Sequence, residues 1–327
     1  MTPVRHILAT TRRALACTAI AAGLLTTFDA VAIDSVKILV PAAPGGGWDQ
    51  TGRALQAAMQ SDNVVKKVTV DNKGGAGGTI GLAQFVSSSK GDPEAMMMGG
   101  MVMVGAIITN KSPVNLSQVT PIARLTGEYQ VVVVPGTSKF QTMKDLVAQF
   151  KANPGSVAWG GGSAGGSDHI LAGLIAQAAG VDPAKVNYIA YAGGGEAQAA
   201  IMGGHVAAGI SGYGEFAGQI KSGKLRALGI SADKRVPGID VPTLKEQGID
   251  VEMVNWRAIF AAPGITDAQK KELVDVVGKT VKTASWQDAL KRNDWTDMYL
   301  AGDAFKTFMD SDTQRIDKIL AGLGMKK

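Results

Sequence analysis

The stretch VKILVPAAPGGGWDQTGRALQAAM, residues 36–59, decides how the rest of this chain is interpreted. Residues 36–40 form a short apolar run that is typical of a buried strand, and Leu55 and Met59 recur at helical spacing. The glycines at 45–47 lie between them and leave backbone N–H groups uncovered just before the helix. Such a turn is either a tight connection that needs positive φ or a site for an anion.

The same unit of strand, glycine turn and helix recurs along the chain, which favours the anion-site interpretation. Further glycine turns lie at residues 74–78, 160–166 and 193–195, each between a β run and a helical pattern. Alternating strands and helices predict parallel sheets, with a ligand crevice at the carboxyl ends of the strands. A strong β run at residues 130–134 precedes the second set of these units, so the pattern predicts two lobes of similar construction.

Helical patterns dominate the end of the chain, at residues 267–282, 285–292 and 302–323. Because helices alone cannot complete a separate domain of this kind, we expect the chain to return there to the first lobe. The predicted fold class is therefore α/β, with two lobes that are each a mainly parallel sheet flanked by helices, and with two crossover strands. The predicted boundaries are residues 33–132 and 253–327 for lobe 1, and residues 133–252 for lobe 2.

The first 32 residues have the features of a secretory signal peptide. Arg12 and Arg13 precede an apolar run at residues 14–25, and Ala30 and Ala32 provide small residues at the cleavage positions. The apolar run is shorter than the ~20 residues that span a membrane. We therefore expect cleavage after Ala32 and export of a soluble mature protein to the periplasm.

Composition narrows the classes of function. Lys and Arg number 33 against 28 Asp and Glu, a mild excess without a basic block, which argues against nucleic-acid binding. The single cysteine lies in the predicted signal peptide, and the mature chain retains only His169 and His205 as histidines. With no paired carboxylates at ligand spacing, we expect neither a metal site nor a cofactor.

The glycine turn at residues 160–166 also matches two motifs of enzymes. Residues 160–165 fit the dinucleotide pattern G-x-G-x-x-G, and GGSAG at 161–165 fits the G-x-S-x-G elbow with Ser163 as nucleophile. A hydrolase of that class needs a later histidine, yet His169 lies in the helix that this turn opens and His205 lies in another glycine turn. We predict no catalytic residues, and a serine hydrolase using Ser163 stays as the enzymatic alternative.

The motifs resemble one known family, the periplasmic substrate-binding receptors of tripartite tricarboxylate transporters, which include the Bug receptors. The resemblance covers the mature chain and rests on Pro44-Gly45-Gly46-x-x-Asp49, Asn72-x-x-Gly75-Ala76-Gly77-Gly78, Ser167-Asp168-His169-Ile170-Leu171-Ala172 and Gly203-Gly204-x-Val206. It implies a two-lobed Venus-flytrap receptor, expected to be a monomer, that binds a small carboxylate. It also implies delivery of that ligand to the large and small membrane subunits of a transporter. Gly47-Trp48 resembles the branch that binds tricarboxylates, which favours a citrate-like ligand.

The resemblance also implies which residues contact the ligand. They are Gly46, Gly47, Trp48, Gly77, Gly78 and Thr79 on lobe 1, and Gly162, Ser163, Ser167, Asp168, His169, Gly194 and Gly195 on lobe 2. Asp49 would repel an anion, so we expect it to organise the first loop from the first turn of its helix. Because these loops contain no arginine, we expect N–H groups and hydroxyls to hold the ligand. A sensor that docks on a membrane signalling protein would use the same lobes and stays as a second alternative.

Overall fold

The computed structural model of the protein describes residues 33–191 and 194–326. The predicted signal peptide and its cleavage site lie outside the described residues. Within the described residues, no helix combines the length and the apolar character that crossing a membrane requires.

The described residues form a mixed α/β fold. The strands are β1 (Ser35–Val40), β2 (Lys67–Asn72), β3 (Ala95–Gly100), β4 (Thr120–Pro135), β5 (Ala158–Gly161), β6 (Asn187–Ala190), β7 (Ala208–Gly212), β8 (Leu225–Ile230), β9 (Val254–Ala261) and β10 (Thr296–Ala301). The α-helices are α1 (Gly47–Ser61), α2 (Thr79–Ser88), α3 (Met101–Thr109), α4 (Met143–Ala152), α5 (Ser167–Ala178), α6 (Gly194–Met202), α7 (Tyr213–Lys221), α8 (Asp267–Thr280), α9 (Ala284–Arg292) and α10 (Gly302–Gly322).

Strand pairing is parallel in the outer parts of the sheet and antiparallel in the middle. The order is β2-β1-β3-β9-β4-β7-β5-β6, and β8 and β10 also pair with β4. The pairs of β1 with β2 and β3, and of β5 with β6 and β7, are parallel. All pairs that involve β4 or β9 are antiparallel. The predicted parallel units therefore lie on either side of a central antiparallel region.

Strand β4 connects the two parts of the sheet and is longer than the run predicted from the sequence. Its residues 120–129 pair with β9, whereas residues 130–133 pair with β7 and residues 131–135 with β8. Because side chains alternate between the faces of a strand, Val131 and Val133 pack in one core cluster while Val132 and Val134 pack in the other. The lobe boundaries predicted near residues 132 and 252 remain a prediction.

Strand β10 corrects the expectation that only helices follow residue 261. It pairs antiparallel with β4, and the hydroxyl of Thr126 donates to the carbonyl of Thr296 at 2.7 Å. The helix α10 then packs against β4 and α3. The end of the chain therefore covers the part of the sheet that holds β1, β3 and β9, and it adds a strand to that part as well.

Candidate ligand-binding site

A cavity of about 590 Å³ opens at the carboxyl ends of β1, β5 and β7. This volume lies in the ordinary range for small-molecule sites. Its wall includes ten of the residues predicted from the sequence, namely Gly46, Gly47, Trp48, Gly77, Gly78, Gly162, Ser163, Ser167, Asp168 and Gly195. The glycine turns from both halves of the chain therefore face one space.

Several helices begin at this cavity. The helices α1, α5, α6 and α7 start within one or two residues of its wall, as do α2 and α3. The first N–H groups of a helix have no partner within the helix, and the dipole makes that end positive. Gly46, Gly166 and Gly212 precede α1, α5 and α7 and provide no capping side chain. The arrangement therefore presents backbone donors to an anion.

Asp49 organises the first glycine turn from inside the helix α1. Its carboxylate accepts hydrogen bonds from the N–H of Gly45 at 2.9 Å, from Arg53 Nε at 3.0 Å and from Asn72 Nδ2 at 2.9 Å. Burial alone would raise the pKa of Asp49, but these hydrogen bonds outweigh it and hold the pKa below its usual value. The buried carboxylate therefore connects the loop after β1 with the end of β2.

We expect Asp49→Asn to lower the free energy of unfolding by about 1–3 kcal/mol at pH 7, because an amide cannot serve all three donors. The lowered pKa means that this stabilisation is present above the usual Asp pKa and is lost as the pH falls through the lowered value. Urea unfolding at pH 7 and pH 3 measures the difference. Asp71→Asn, at an exposed position on β2, is the matched control, and equal effects of the two changes would contradict the role of Asp49.

The second glycine turn lies against Trp48 and faces the turn after β5. Gly77 and Gly78 have φ of 64° and 92°, which favours glycine. A Cβ at Gly78 would stand 2.7 Å from the ring of Trp48, and a Cβ at Gly77 would stand 3.7 Å from the Cβ of Ser163. The loops from the two halves of the chain therefore approach each other across the cavity.

Asp168 lines the cavity, but its carboxylate is engaged by its own loop. It accepts a hydrogen bond from the N–H of Gly162 at 2.7 Å and another from Gln130 Nε2. Burial raises the pKa of Asp168 to about 6 even though these hydrogen bonds act against it. The side chain therefore shapes the turn after β5, much as Asp49 shapes the turn after β1.

Two predicted ligand residues, Thr79 and His169, do not belong to the cavity wall. The hydroxyl of Thr79 donates to the carbonyl of Ala76 at 3.0 Å. His169 Nδ1 accepts from the N–H of Gly165 at 3.1 Å, and its ring stacks on Tyr188 at 4.2 Å between centroids. Burial lowers the pKa of His169 to about 4. Both side chains therefore make contacts within or beside the glycine turns, and their role as ligand contacts stays a prediction. Gly194 is the first residue of α6.

The sequence analysis missed an ion pair behind the first glycine turn, between Arg257 on β9 and Glu128 on β4. Both side chains are buried, with 2% and 1% of their surfaces exposed. The other carboxylate oxygen of Glu128 accepts from the N–H of Gly214 at 3.0 Å. A Cβ at Gly47 would stand 2.6 Å from the guanidinium carbon, so the first turn approaches Arg257 only because residue 47 is glycine.

The sequence held one signal for this pair. Arg257 is the only charged residue of β9, VNWRAIFA, and an arginine in a buried strand requires a partner. That signal predicts an ion pair, but it does not identify Glu128, which lies 129 positions away. The cavity wall also contains Asn255, Ser211 and Glu215, which carried no comparable signal.

Metal chemistry finds no support in the part of the chain that the structure describes. No group of three or more His, Cys, Asp or Glu side chains is arranged there to hold a metal ion. The polar groups that line the cavity include backbone N–H groups, hydroxyls and carboxyl groups.

A family model decides the identification. The model of the tripartite tricarboxylate transporter family receptor matches residues 52–325. The chain belongs to this family. Members of the tripartite tricarboxylate transporter receptor family are solute-binding proteins of the periplasm, so this protein is a receptor and not an enzyme. The serine-hydrolase alternative for Ser163 is thereby set aside.

Similar proteins agree with this assignment. Protein BugT of Bordetella pertussis is 29% identical over 299 residues, which cover 89% of this chain and 90% of BugT. The structure of the periplasmic binding protein BugD is 23% identical, with a TM-score of 0.81, and the match covers 90% of this chain and 98% of BugD. The structure of MatC from Rhodopseudomonas palustris with bound malate is 20% identical, with a TM-score of 0.79, covering 88% of this chain and 98% of MatC. The predicted two-lobed periplasmic-binding-protein fold is confirmed.

Proposed function

We propose that this protein captures a small di- or tricarboxylate in the cavity between its glycine turns. We further propose that it acts as a monomer and delivers the ligand to the large and small membrane subunits of a tripartite tricarboxylate transporter. We also propose that residues 1–32 are an export signal that is cleaved after Ala32. Within this class we favour a citrate-like ligand, because Gly47-Trp48 resembles the branch of the family that binds tricarboxylates.

The observation that carries the proposal is the convergence of several helix N-termini on one cavity. Each N-terminus stabilises an anion by about 0.3–1 kcal/mol at an exposed site and by up to about 2 kcal/mol in a partly buried one. Summed over several helices, such terms suit a ligand with more than one carboxylate. The malate in MatC, a dicarboxylate, supports the same ligand class for this receptor.

A thermal-unfolding screen tests the proposal. A ligand that binds only the folded protein stabilises it by about 2.7 kcal/mol at a concentration of 100 times Kd. We expect the melting temperature to rise with succinate, malate or citrate and to stay unchanged with neutral sugars of similar size. A rise with sugars alone would overturn the carboxylate assignment.

A further inference from the structure

Glu215 is a carboxyl group of the cavity wall whose neighbouring cation, Arg257, is shared with Glu128. It lies in the first turn of α7, and its Oε1 is 3.9 Å from Arg257 Nη2, beyond hydrogen-bonding distance. Ser211 lies beside the carboxyl group and acts, as Arg257 does, to lower the pKa of Glu215. In a cavity that receives an anion, an ionised carboxylate at this place would repel the ligand.

Arg257 cannot neutralise Glu215 because Glu128 already engages it. The Nη2 atom that faces Glu215 forms the buried ion pair with Glu128. Glu128 is satisfied on both oxygens, since its other oxygen accepts from Gly214. The guanidinium and Glu128 thus form a neutral pair, and Glu215 is a surplus carboxyl group beside the first glycine turn.

Protonation of Glu215 resolves this conflict, because it removes the negative charge and adds an O–H donor. We propose that Glu215 binds the ligand in its neutral acid form and donates its O–H to a ligand carboxylate. This inference rests on the proposed function, since it requires an anionic ligand. Glu215 would then determine specificity for a carboxylate. At pH values where Glu215 is ionised in the empty protein, each binding event would take up a proton.

The groups that face Glu215 support this assignment. They are Glu128 from β4, Asp168 from α5, Glu196 from α6, Ser211 from β7 and Arg257 from β9. Burial, and then the charge of Glu128, raise the pKa of Glu215, with Arg257 acting in the opposite direction. A ligand carboxylate would raise this pKa further. While the ligand stays fully ionised, affinity should therefore be constant below the pKa of Glu215 in the empty cavity and should fall as the pH rises through it.

Calorimetric titration with succinate, malate and citrate between about pH 7 and 9.5 tests the proposal, because these ligands are fully ionised there. Repeating each titration in buffers of different ionisation enthalpy gives the number of protons taken up. We expect an uptake that approaches one proton, with an affinity that falls by up to about tenfold per pH unit. Glu215→Gln keeps a neutral donor, so it should bind with little pH dependence and no uptake from this position.

The control is Glu94→Gln, because Glu94 is an exposed carboxylate before β3, and it should behave as the wild-type protein does. Carboxylate binding without proton uptake in the wild-type protein would overturn the role of Glu215 while leaving the receptor function intact. Proton release by the wild-type protein on carboxylate binding would mean that Glu215 is ionised in the complex, and it would overturn the proposed role as well. If none of the three carboxylates binds at any pH, the proposed function itself fails. The number of protons that the wild-type protein takes up on binding tests the role of Glu215 even if Glu215→Gln does not fold.

Discussion

Arg257→Ala is expected to lower the free energy of unfolding by about 3–5 kcal/mol. The change leaves the carboxylate of Glu128 buried, with 1% of its surface exposed, and without its cation. It also removes the guanidinium that fills the space beside Gly47 and contacts the hydroxyl of Thr51 at 3.4 Å. Urea unfolding followed by circular dichroism measures the loss.

A double-mutant cycle separates the ion pair from general damage. Removing both Arg257 and Glu128 should cost less than the sum of the two single alanine changes, because the second change removes a charge that the first had left unpaired. Lys271→Ala breaks a surface pair with Asp275 and should leave the stability nearly unchanged. Additive effects in the cycle would mean that the buried pair has no special role.

Gly46→Val is expected to weaken ligand binding at least tenfold, which is about 1.4 kcal/mol. Gly46 has φ of −80° and ψ of 172°, an extended conformation that valine can adopt. A Cβ at this position would meet only the carbonyl oxygen of Ala43, at 3.9 Å. The protein therefore accommodates the Cβ, and Gly46 lines the cavity, so we expect the loss to appear in affinity and not in stability.

The matched control for Gly46→Val is Lys73→Ala. Lys73 directly precedes the second glycine turn, and it is exposed and absent from the cavity wall. Its removal should change the affinity by roughly 0–1 kcal/mol. If calorimetry gave the reverse order, with Lys73→Ala severe and Gly46→Val harmless, the backbone donors of the first turn would not be the ligand site.

The local units of the fold were predictable from the sequence because they depend on near neighbours. The strand at residues 36–40 and the helix after the first glycine turn are present as β1 and α1. The glycine turns indicated where strands end, and the carboxyl ends of parallel strands meet at one crevice. The ligand residues that the family resemblance implied lie in or beside these turns, and ten of them line a single cavity.

Features that depend on distant pairing were not predictable in the same way. The first half of β4 and all of β10 have weak β patterns, and they are strands because they pair with β9 and with each other. Arg257 and Glu128 meet for the same reason, across strands that are far apart in the sequence. Arg257 borders the cavity from β9, outside the loops that the sequence analysis considered, and the expectation that N–H groups and hydroxyls hold the ligand stays a prediction.

The roles of polar side chains within the loops were the least predictable part of the site. Asp168 and His169 are adjacent in sequence, yet only Asp168 lines the cavity, and both accept hydrogen bonds from N–H groups of the same turn. A glycine-rich turn needs such internal acceptors because its own backbone donors would otherwise be unpaired when buried. A motif alone does not distinguish these structural acceptors from residues that contact the ligand.

The most direct test of carboxylate binding in this cavity is a calorimetric titration of the purified protein with a dicarboxylate and with its diamide, for example succinate and succinamide. The two molecules have similar size and shape, and they differ in the charge that the helix N-termini would stabilise. We expect one succinate to bind per protein and succinamide to show no measurable binding. Equal binding of the two compounds, or binding of succinamide alone, would contradict the claim that this cavity recognises carboxylates.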